Sequence, residues 1–94
     1  MATRTTEAVT RDPTGPVYVR IGKVDEGPIR TDDHESFAVD FYKSNGRVFG
    51  IEFLANVPLA TVLKVIPEED AGSVHEILTD VFGKDGIDLE IVKR

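Results

Sequence analysis

The sequence contains no cysteine and no long run of apolar residues. Without cysteine the chain cannot form disulfides, use a thiol nucleophile or bind a metal through sulfur. A helix that spans a bilayer needs about 18 or more consecutive apolar residues, and the opening "MATRTTEAVTRD" lacks the apolar segment of a secretory signal. We therefore expect a cytoplasmic protein that makes no contact with a membrane.

Basic residues are outnumbered, since the chain has 11 Lys and Arg against 17 Asp and Glu and a net charge of −6. The charges of residues 1–16 balance, so the excess negative charge lies on residues 17–94. An acidic body repels phosphate backbones and attracts basic surfaces. The charge therefore argues against direct binding of nucleic acid and favours a basic protein partner.

The length of 94 residues suits one domain with a small core, to which 29 Leu, Ile, Val and Phe residues can contribute. A domain of this size buries only about 60–65% of its unfolded surface, so a homodimer would add stability. Residues 1–16 are rich in threonine and end in "DPTGP". This composition predicts a flexible N-terminal tail, followed by a single α+β domain at 17–94.

Alternating apolar and polar residues on either side of "SNG" predict a central hairpin at 37–54. A two-residue turn at "NG" would pair Phe41 with Gly50 and place Glu52 among apolar side chains. A three-residue loop with Gly46 in the left-handed region instead pairs Phe41 with Phe49. Burial favours this second register, because a slip of one residue exchanges the faces of a strand. The apolar pairs it predicts are Phe41–Phe49, Val39–Ile51 and Phe37–Phe53.

The other face of this hairpin is expected to be wet and to carry Asp40, Tyr42 and Glu52. Gly50 lies within the second strand, where a glycine indicates a close neighbour or a bulge. A strand before the hairpin is predicted in "VYVRI", and a short return strand at 29–31.

Two apolar stripes with helical spacing follow the hairpin. The first comes after Pro58, and its residues are Leu59, Val62, Leu63 and Ile66; the second comprises Val74, Ile77, Leu78, Val81 and Phe82. Ser73 and Glu76 fit a capping box at the start of the second helix, and Gly83 fits a left-handed stop. A last strand is predicted in "IDLEIV". The expected fold is therefore α+β: a small antiparallel sheet of about four to five strands with one or two helices packed on one face.

Side chains that could carry chemistry are few. "DDHE" at 32–35 has ligand-type side chains, but neighbours in sequence cannot all converge on one ion, and the spacing of a calcium loop is absent. Asp40 and Glu52 could act as acid and base only if a cleft set their environments apart, whereas the hairpin predicts an open sheet. We assign no catalytic residue, no metal ligand and no cofactor.

The acidic clusters are the candidate partner-binding residues: Asp32, Asp33, Glu35, Glu68, Glu69 and Asp70. They predict a non-enzymatic interaction module that meets a basic protein. Two alternatives stay open. One is a small-molecule-binding or enzymatic domain with a pocket between sheet and helices, and the other is a structural domain that forms homo-oligomers through exposed strand edges.

"DPTGPVYVRI" and "VDFYKSNGRVFGIEFL" together resemble the YuzE-like family of small bacterial proteins of unknown function. The residues that match its pattern are Asp12, Pro13, Tyr18, Val39, Asp40, Gly46, Val48, Gly50, Ile51 and Glu52. The spacer "TGPV" departs from the family, which usually has a second acidic residue there. The resemblance covers residues 12–56 and implies a small α+β domain, an antitoxin-like or regulatory role, and a basic partner such as a cognate toxin.

Overall fold

The computed structural model describes residues 9–11, 16–22, 28–83 and 86–89. Its strands form one antiparallel sheet in the order β1-β2-β5-β4-β3, and two helices follow the last strand. The strands are β1 (Val9–Arg11), β2 (Val17–Arg20), β3 (Ile29–Asp33), β4 (Phe37–Tyr42) and β5 (Val48–Phe53); the helices are α1 (Leu59–Leu63) and α2 (Glu68–Phe82). The predicted α+β class is confirmed. No helix within the described ranges is both long enough and apolar enough to cross a membrane.

The core lies between one face of the sheet and the two helices. Val19, Val39 and Ile51 stand opposite one another on adjacent strands and are fully buried. The ring of Phe53 meets that of Phe82 on α2 edge-on, with centroids 5.5 Å apart. Every residue of the stripe predicted for this helix is buried: Val74, Ile77, Leu78, Val81 and Phe82.

The hairpin register is confirmed for Phe37–Phe53 and Val39–Ile51, and Gly46 has the predicted positive φ, at 73°. The predicted pairing of Phe41 with Phe49 is wrong, because Phe41 pairs with Val48. A β-bulge after the Asp40 pair makes Phe49 an extra residue. The bulge lets both Val48 and Ile51 face the core, and it frees Phe49 to contact Tyr18 and Tyr42 on the opposite side of the sheet.

The turn and the wet face also differ from the prediction. Tyr42 N–H donates to Arg47 O at 2.9 Å, and Gly46 N–H donates to Tyr42 O at 2.8 Å. The chain therefore turns within residues 43–46, one residue more than the predicted loop. Tyr42, expected on the wet face, is buried because its ring packs against Phe49 and the backbone of Gly22.

Three residues of the predicted tail belong to the sheet. Val9–Arg11 pair antiparallel with Val17–Val19 and so lie along the edge of β2 that faces away from β5. An unpaired β2 would expose a row of backbone donors and acceptors, which explains why even a sparsely apolar segment adds a strand. Of the rest of the predicted tail, the structure describes residue 16 alone. Of the predicted last strand, Ile87 forms one antiparallel bridge with Val57, and residues 90–92 lie outside the described ranges.

Helix α2 begins six residues earlier than the capping box predicted, so the assignment of Ser73 as a cap is wrong. The helix starts at Glu68 after Pro67, whose extended backbone (φ −57°, ψ 146°) leads into it. Glu68, Glu69 and Asp70 fill the first turn, where the helix dipole favours negative charge. At the other end the helix stops at Gly83 as predicted, and the Gly83 N–H donates to Thr79 O at 2.8 Å. Its φ of 91° is positive, as predicted, but its ψ of −171° is not that of a left-handed helical residue.

Two substitutions on α2 test this placement. Leu78→Ala should lower the free energy of unfolding by about 2–5 kcal/mol, because a 1%-exposed side chain is deleted from the core. Ser73→Ala should change it by less than about 0.5 kcal/mol or raise it slightly, because Ser73 is exposed within the helix and alanine has the higher helix propensity. Urea unfolding of both variants measures the difference. A loss of 1 kcal/mol or more in Ser73→Ala would contradict the earlier start of α2.

Candidate functional site

The structure places the predicted partner-binding residues in two separate regions. Asp32 lies on β3 and accepts a hydrogen bond from Arg30 at 2.6 Å, while Asp33 and Glu35 are exposed at the end of that strand and beyond it. Glu68 and Glu69 are exposed at the start of α2. Asp70, the sixth member of the set, is only 4% exposed.

Asp70 joins α2 to the hairpin. Its Oδ1 accepts hydrogen bonds from Arg47 Nε at 2.9 Å and Nη2 at 2.8 Å, and its Oδ2 accepts one from the Val48 amide at 3.0 Å. The hydrogen bonds and the charge of Asp70 raise the pKa of the Arg47 guanidinium. Asp70 is therefore committed to contacts within the fold and is not part of an exposed acidic surface.

The two acidic regions lie at opposite ends of the sheet. Asp33 pairs with Ala38, and Ala38 pairs with Glu52 at one end of β5, whereas Asp70 contacts Val48 at the other end. Four residues of strand between Val48 and Glu52 correspond to roughly 13 Å. This exceeds the Debye length of about 8 Å at physiological ionic strength. The two clusters therefore do not form a single site.

A third surface is the face of the sheet that is turned away from α1 and α2, here called the outer face; it includes Asp33 of the acidic β3 region. Strand alternation and register assign its residues on β2 to β5, which are Tyr18, Arg20, Ile29, Thr31, Asp33, Ala38, Asp40, Tyr42, Gly50 and Glu52, with Phe49 added by the bulge. Both described helices lie on the opposite side, and all the described strands belong to the sheet. Within the described ranges, no helix or strand covers this face.

A hydrogen-bond network crosses the outer face. Tyr18 Oη donates to Asp40 Oδ2 at 2.8 Å, and Thr31 Oγ1 donates to Asp40 Oδ1 at 2.6 Å. Because the strand order is β2-β5-β4-β3, the Tyr18 side chain must cross β5 to reach Asp40. Burial first, and then the hydrogen bond and charge of Asp40, raise the pKa of the Tyr18 phenol.

Gly50 makes that crossing possible. A Cβ at Gly50 would lie 2.8 Å from Tyr18 Cε2 and still closer to the phenol oxygen. The close neighbour predicted for this glycine is thus the Tyr18 ring. Tyr42 has the same relation to Gly22, where a Cβ would lie 2.9 Å from Tyr42 Cε2.

Three aromatic rings line up on the outer face. The Phe49 centroid lies 6.4 Å from that of Tyr18 and 5.4 Å from that of Tyr42, the latter pair edge-on. The backbone supports this arrangement, since the amides of Ile21 and Gly22 both donate to Phe49 O, at 2.7 and 2.8 Å. The sequence showed no sign of this cluster beyond Gly50, because it depends on the bulge and on the strand order.

A cavity of about 330 Å³ lies between the hairpin turn, the end of β2 and the start of α2, with Tyr42, Arg47, Asp70 and Ser73 among its lining residues. Its size is at the lower end of the range for small-molecule sites, about 300–1,000 Å³. The charged groups in its wall already pair with each other. The cavity could hold a small molecule, but Arg47 and Asp70 in its wall already neutralise each other and are not available to bind a charged ligand.

The geometry gives no support for catalysis by Asp40 and Glu52, because both oxygens of Asp40 already accept hydroxyl hydrogen bonds on an open face. His34 of the "DDHE" segment stacks on Phe37, with centroids 4.8 Å apart. Across the described ranges, no group of three or more His, Asp and Glu side chains is placed to hold a metal ion.

Comparison with known proteins gives no match to a family model, to a curated protein or to a solved structure. The resemblance to the YuzE-like family therefore rests on the residues named for it above. Several of them, Tyr18, Asp40, Gly50 and Glu52, lie together on the outer face.

Adding a methyl group at Gly50 should displace Tyr18. We expect Gly50→Ala to lower the free energy of unfolding by about 1–3 kcal/mol through overpacking. The matched control is Gly72→Ala on α2, where nothing lies within 4 Å of the added Cβ and alanine should stabilise the helix by about 0.5–1 kcal/mol. In a Tyr18→Ala background the cost of Gly50→Ala should disappear. An unchanged cost in that background would show that Tyr18 is not its cause.

The raised pKa of Tyr18 predicts a loss of stability at alkaline pH. A free tyrosine ionises near pH 10, and the folded state holds the phenol neutral beyond that value. The stabilisation that comes from the neutral Tyr18 phenol is therefore complete below about pH 10 and is lost as the pH rises above that value. Tyr18→Phe should cost about 0.5–1.5 kcal/mol at neutral pH and should remove this part of the alkaline loss. Unfolding titrations of both proteins from neutral to alkaline pH, with tyrosinate absorbance as a second readout, test this; identical pH dependence would contradict it.

Proposed function

We propose that this protein is a non-enzymatic interaction module that binds a basic segment of another protein on the outer face of its sheet. The observation that carries the proposal is the composition of that uncovered face. Among the residues that the structure describes, Asp33, Asp40 and Glu52 stand there against one guanidinium, that of Arg20. The excess of negative charge complements lysine and arginine side chains.

Aromatic rings on the same face add to this complementarity. Lys and Arg are attracted to the faces of Tyr and Phe rings, a contribution of about 0.5–1 kcal/mol at exposed sites. Tyr18 and Phe49 are only partly buried, so their rings remain accessible beside the carboxylates. A basic segment that lies across the strands would meet both kinds of group.

The outer face is held in place before any partner arrives. The hydrogen bonds from Tyr18 and Thr31 fix the Asp40 carboxylate, and Gly50 fixes the position of the Tyr18 ring. Groups that are already ordered lose less conformational entropy on binding, which favours affinity. This rigidity supports a recognition surface rather than a solvated charged face.

The acidic clusters outside this face have a supporting role in the proposal. Asp32, Glu35, Glu68 and Glu69 would steer a basic partner, because charges at the rim of an interface mainly set association rate and salt dependence. Asp33 belongs to both the β3 cluster and the outer face. An antitoxin-like or regulatory role, with a cytoplasmic toxin as the basic partner, is the form of this function that the YuzE-like resemblance favours.

Binding of an oligolysine peptide tests the proposal. Glu52→Lys on the outer face and Glu69→Lys on α2 change the net charge equally. The affinity of each variant for a labelled oligolysine peptide is measured by fluorescence anisotropy in low salt. We expect Glu52→Lys to weaken binding severalfold more than Glu69→Lys, and the difference to shrink at high ionic strength. NMR shift perturbations should centre on Tyr18 and Phe49.

Equal weakening by the two charge reversals would show that net charge alone attracts the peptide, and the outer face would then have no recognition role. Perturbations centred on Arg47 and Asp70 would instead identify the cavity beside α2 as the binding site. Circular dichroism spectra of both variants control for a change of fold.

A further inference from the structure

The exposed edge strand β3 is the second unoccupied feature of the sheet. Within the described ranges, no strand or helix lies beyond it in the sheet order. Lys43 N–H donates to Pro28 O and His34 N–H donates to Phe37 O, so the even-numbered residues of this segment direct their backbone groups towards β4. By the alternation of an antiparallel ladder, Ile29, Thr31 and Asp33 direct theirs outwards.

The outward groups limit how a second copy of β3 can pair with the first. An antiparallel partner must place odd-numbered residues opposite odd-numbered residues, because only these offer free backbone donors and acceptors. A two-fold axis at Thr31 meets this condition, with Thr31 opposite Thr31 of the second copy and Ile29 opposite Asp33. A two-fold axis at Arg30 or at Asp32 also places odd-numbered residues opposite odd-numbered residues. The side chains must therefore decide among these three registers.

Charge selects the axis at Thr31. In that register Arg30 lies opposite Asp32 of the second copy. The two-fold symmetry also places Asp32 opposite Arg30 of the second copy, so the interface has two such pairs. Moving the axis to Arg30 would place two guanidinium groups opposite each other, and moving it to Asp32 would oppose two carboxylates. Like charges directly opposite on adjacent strands are destabilising, whereas opposite charges stabilise the pair.

The side chains of Arg30 and Asp32 are already arranged for this contact. They bond to each other at 2.6 Å on one side of β3, and both remain about half exposed. The Arg30 guanidinium also lies 4.6 Å from the centroid of the Phe41 ring, which restrains it. Ile29, 41% exposed, is one of the large apolar side chains that the fold leaves in water, and a second β3 would partly cover it.

We propose that two copies of this protein associate through antiparallel pairing of β3 about a two-fold axis at Thr31, with Arg30 of each copy opposite Asp32 of the other. The two sheets then join into one continuous sheet, and the outer faces of both copies lie side by side. The charges on this edge prevent pairing in the neighbouring registers, in the way that charged residues protect many edge strands. The inference is independent of what binds the outer face.

A single introduced cysteine tests the register directly, because the chain contains no cysteine of its own. With the axis at Thr31, the Cα atoms of the two Thr31 residues lie about 5.5 Å apart, the spacing of a hydrogen-bonded antiparallel pair. A disulfide can bridge this distance. Thr31→Cys should therefore form a covalent dimer under mild oxidation. Asp33→Cys is the control, because its two copies would lie roughly 13 Å apart along the strands. Crosslinking of Asp33→Cys at the same rate, or none of Thr31→Cys, would overturn the proposal.

Charge reversal gives a second test by sedimentation of the full chain over a range of concentrations. The wild type should show a concentration-dependent dimer, and Arg30→Asp or Asp32→Arg alone should weaken it at least tenfold by opposing like charges. The double variant Arg30→Asp/Asp32→Arg restores opposite charges across the axis and should recover the dimer. Lys43→Glu at the exposed hairpin turn has the same change of net charge as Arg30→Asp and should leave association unchanged.

A wild type that stays monomeric at every concentration would overturn the proposal. So would a folded double variant that remains monomeric while the wild type dimerises, because the Thr31 axis alone predicts the recovery. If a single variant fails to fold, the double variant and the cysteine pair still decide the question.

Discussion

The carboxylate of Asp70 connects the two halves of the fold. It accepts hydrogen bonds from the Arg47 guanidinium and from the Val48 amide, and it stands in the first turn of α2. A buried backbone N–H without a partner costs about 1–3 kcal/mol, so Val48 depends on this carboxylate. Through it, the start of α2 is set against the hairpin turn, and the stripe from Val74 to Phe82 is aligned with the apolar face of the sheet. The position of α2 in turn decides which face of the sheet the described helices leave uncovered.

An open sheet face must be stabilised by its own side chains, and here two tyrosines do this over two glycines. The Tyr18 ring covers Gly50 and the Tyr42 ring covers Gly22, with Phe49 between them. Each ring shields backbone that would otherwise meet water, in the manner of aromatic side chains that compensate for glycine in a strand. The Tyr18 ring also carries the hydroxyl that orders Asp40. Structural support and the proposed recognition surface are therefore built from the same residues.

The sequence predicted those parts of the fold that depend on local periodicity. Val39 and Ile51, or Leu78 and Val81, repeat at the spacing of a strand or helix, and burial then fixes their faces. The pairing of Phe41 with Phe49 failed because the bulge responds to aromatic partners on β2 and β4 that no local pattern reveals. The start of α2 was misplaced although a signal was present, since Pro67 followed by three acidic residues is itself typical of a helix start. Asp70 looked like an exposed acid because its partner Arg47 lies far away in the chain, and Tyr18 could be joined to Asp40 only once the strand order was known.

The placement of β5 between β2 and β4 has a consequence for how the chain folds. Strands β3, β4 and β5 follow one another and meet through short turns, whereas β2 must pair with a strand that is made only after two others. Closing that large loop costs conformational entropy before the contacts of β2 form, and such non-local pairing slows folding. During synthesis, the segment around Tyr18 emerges from the ribosome before Asp40 and Gly50 do. We therefore expect the Tyr18–Asp40 hydrogen bond to be among the last native contacts to form, which would make it a spectroscopic marker of completed folding.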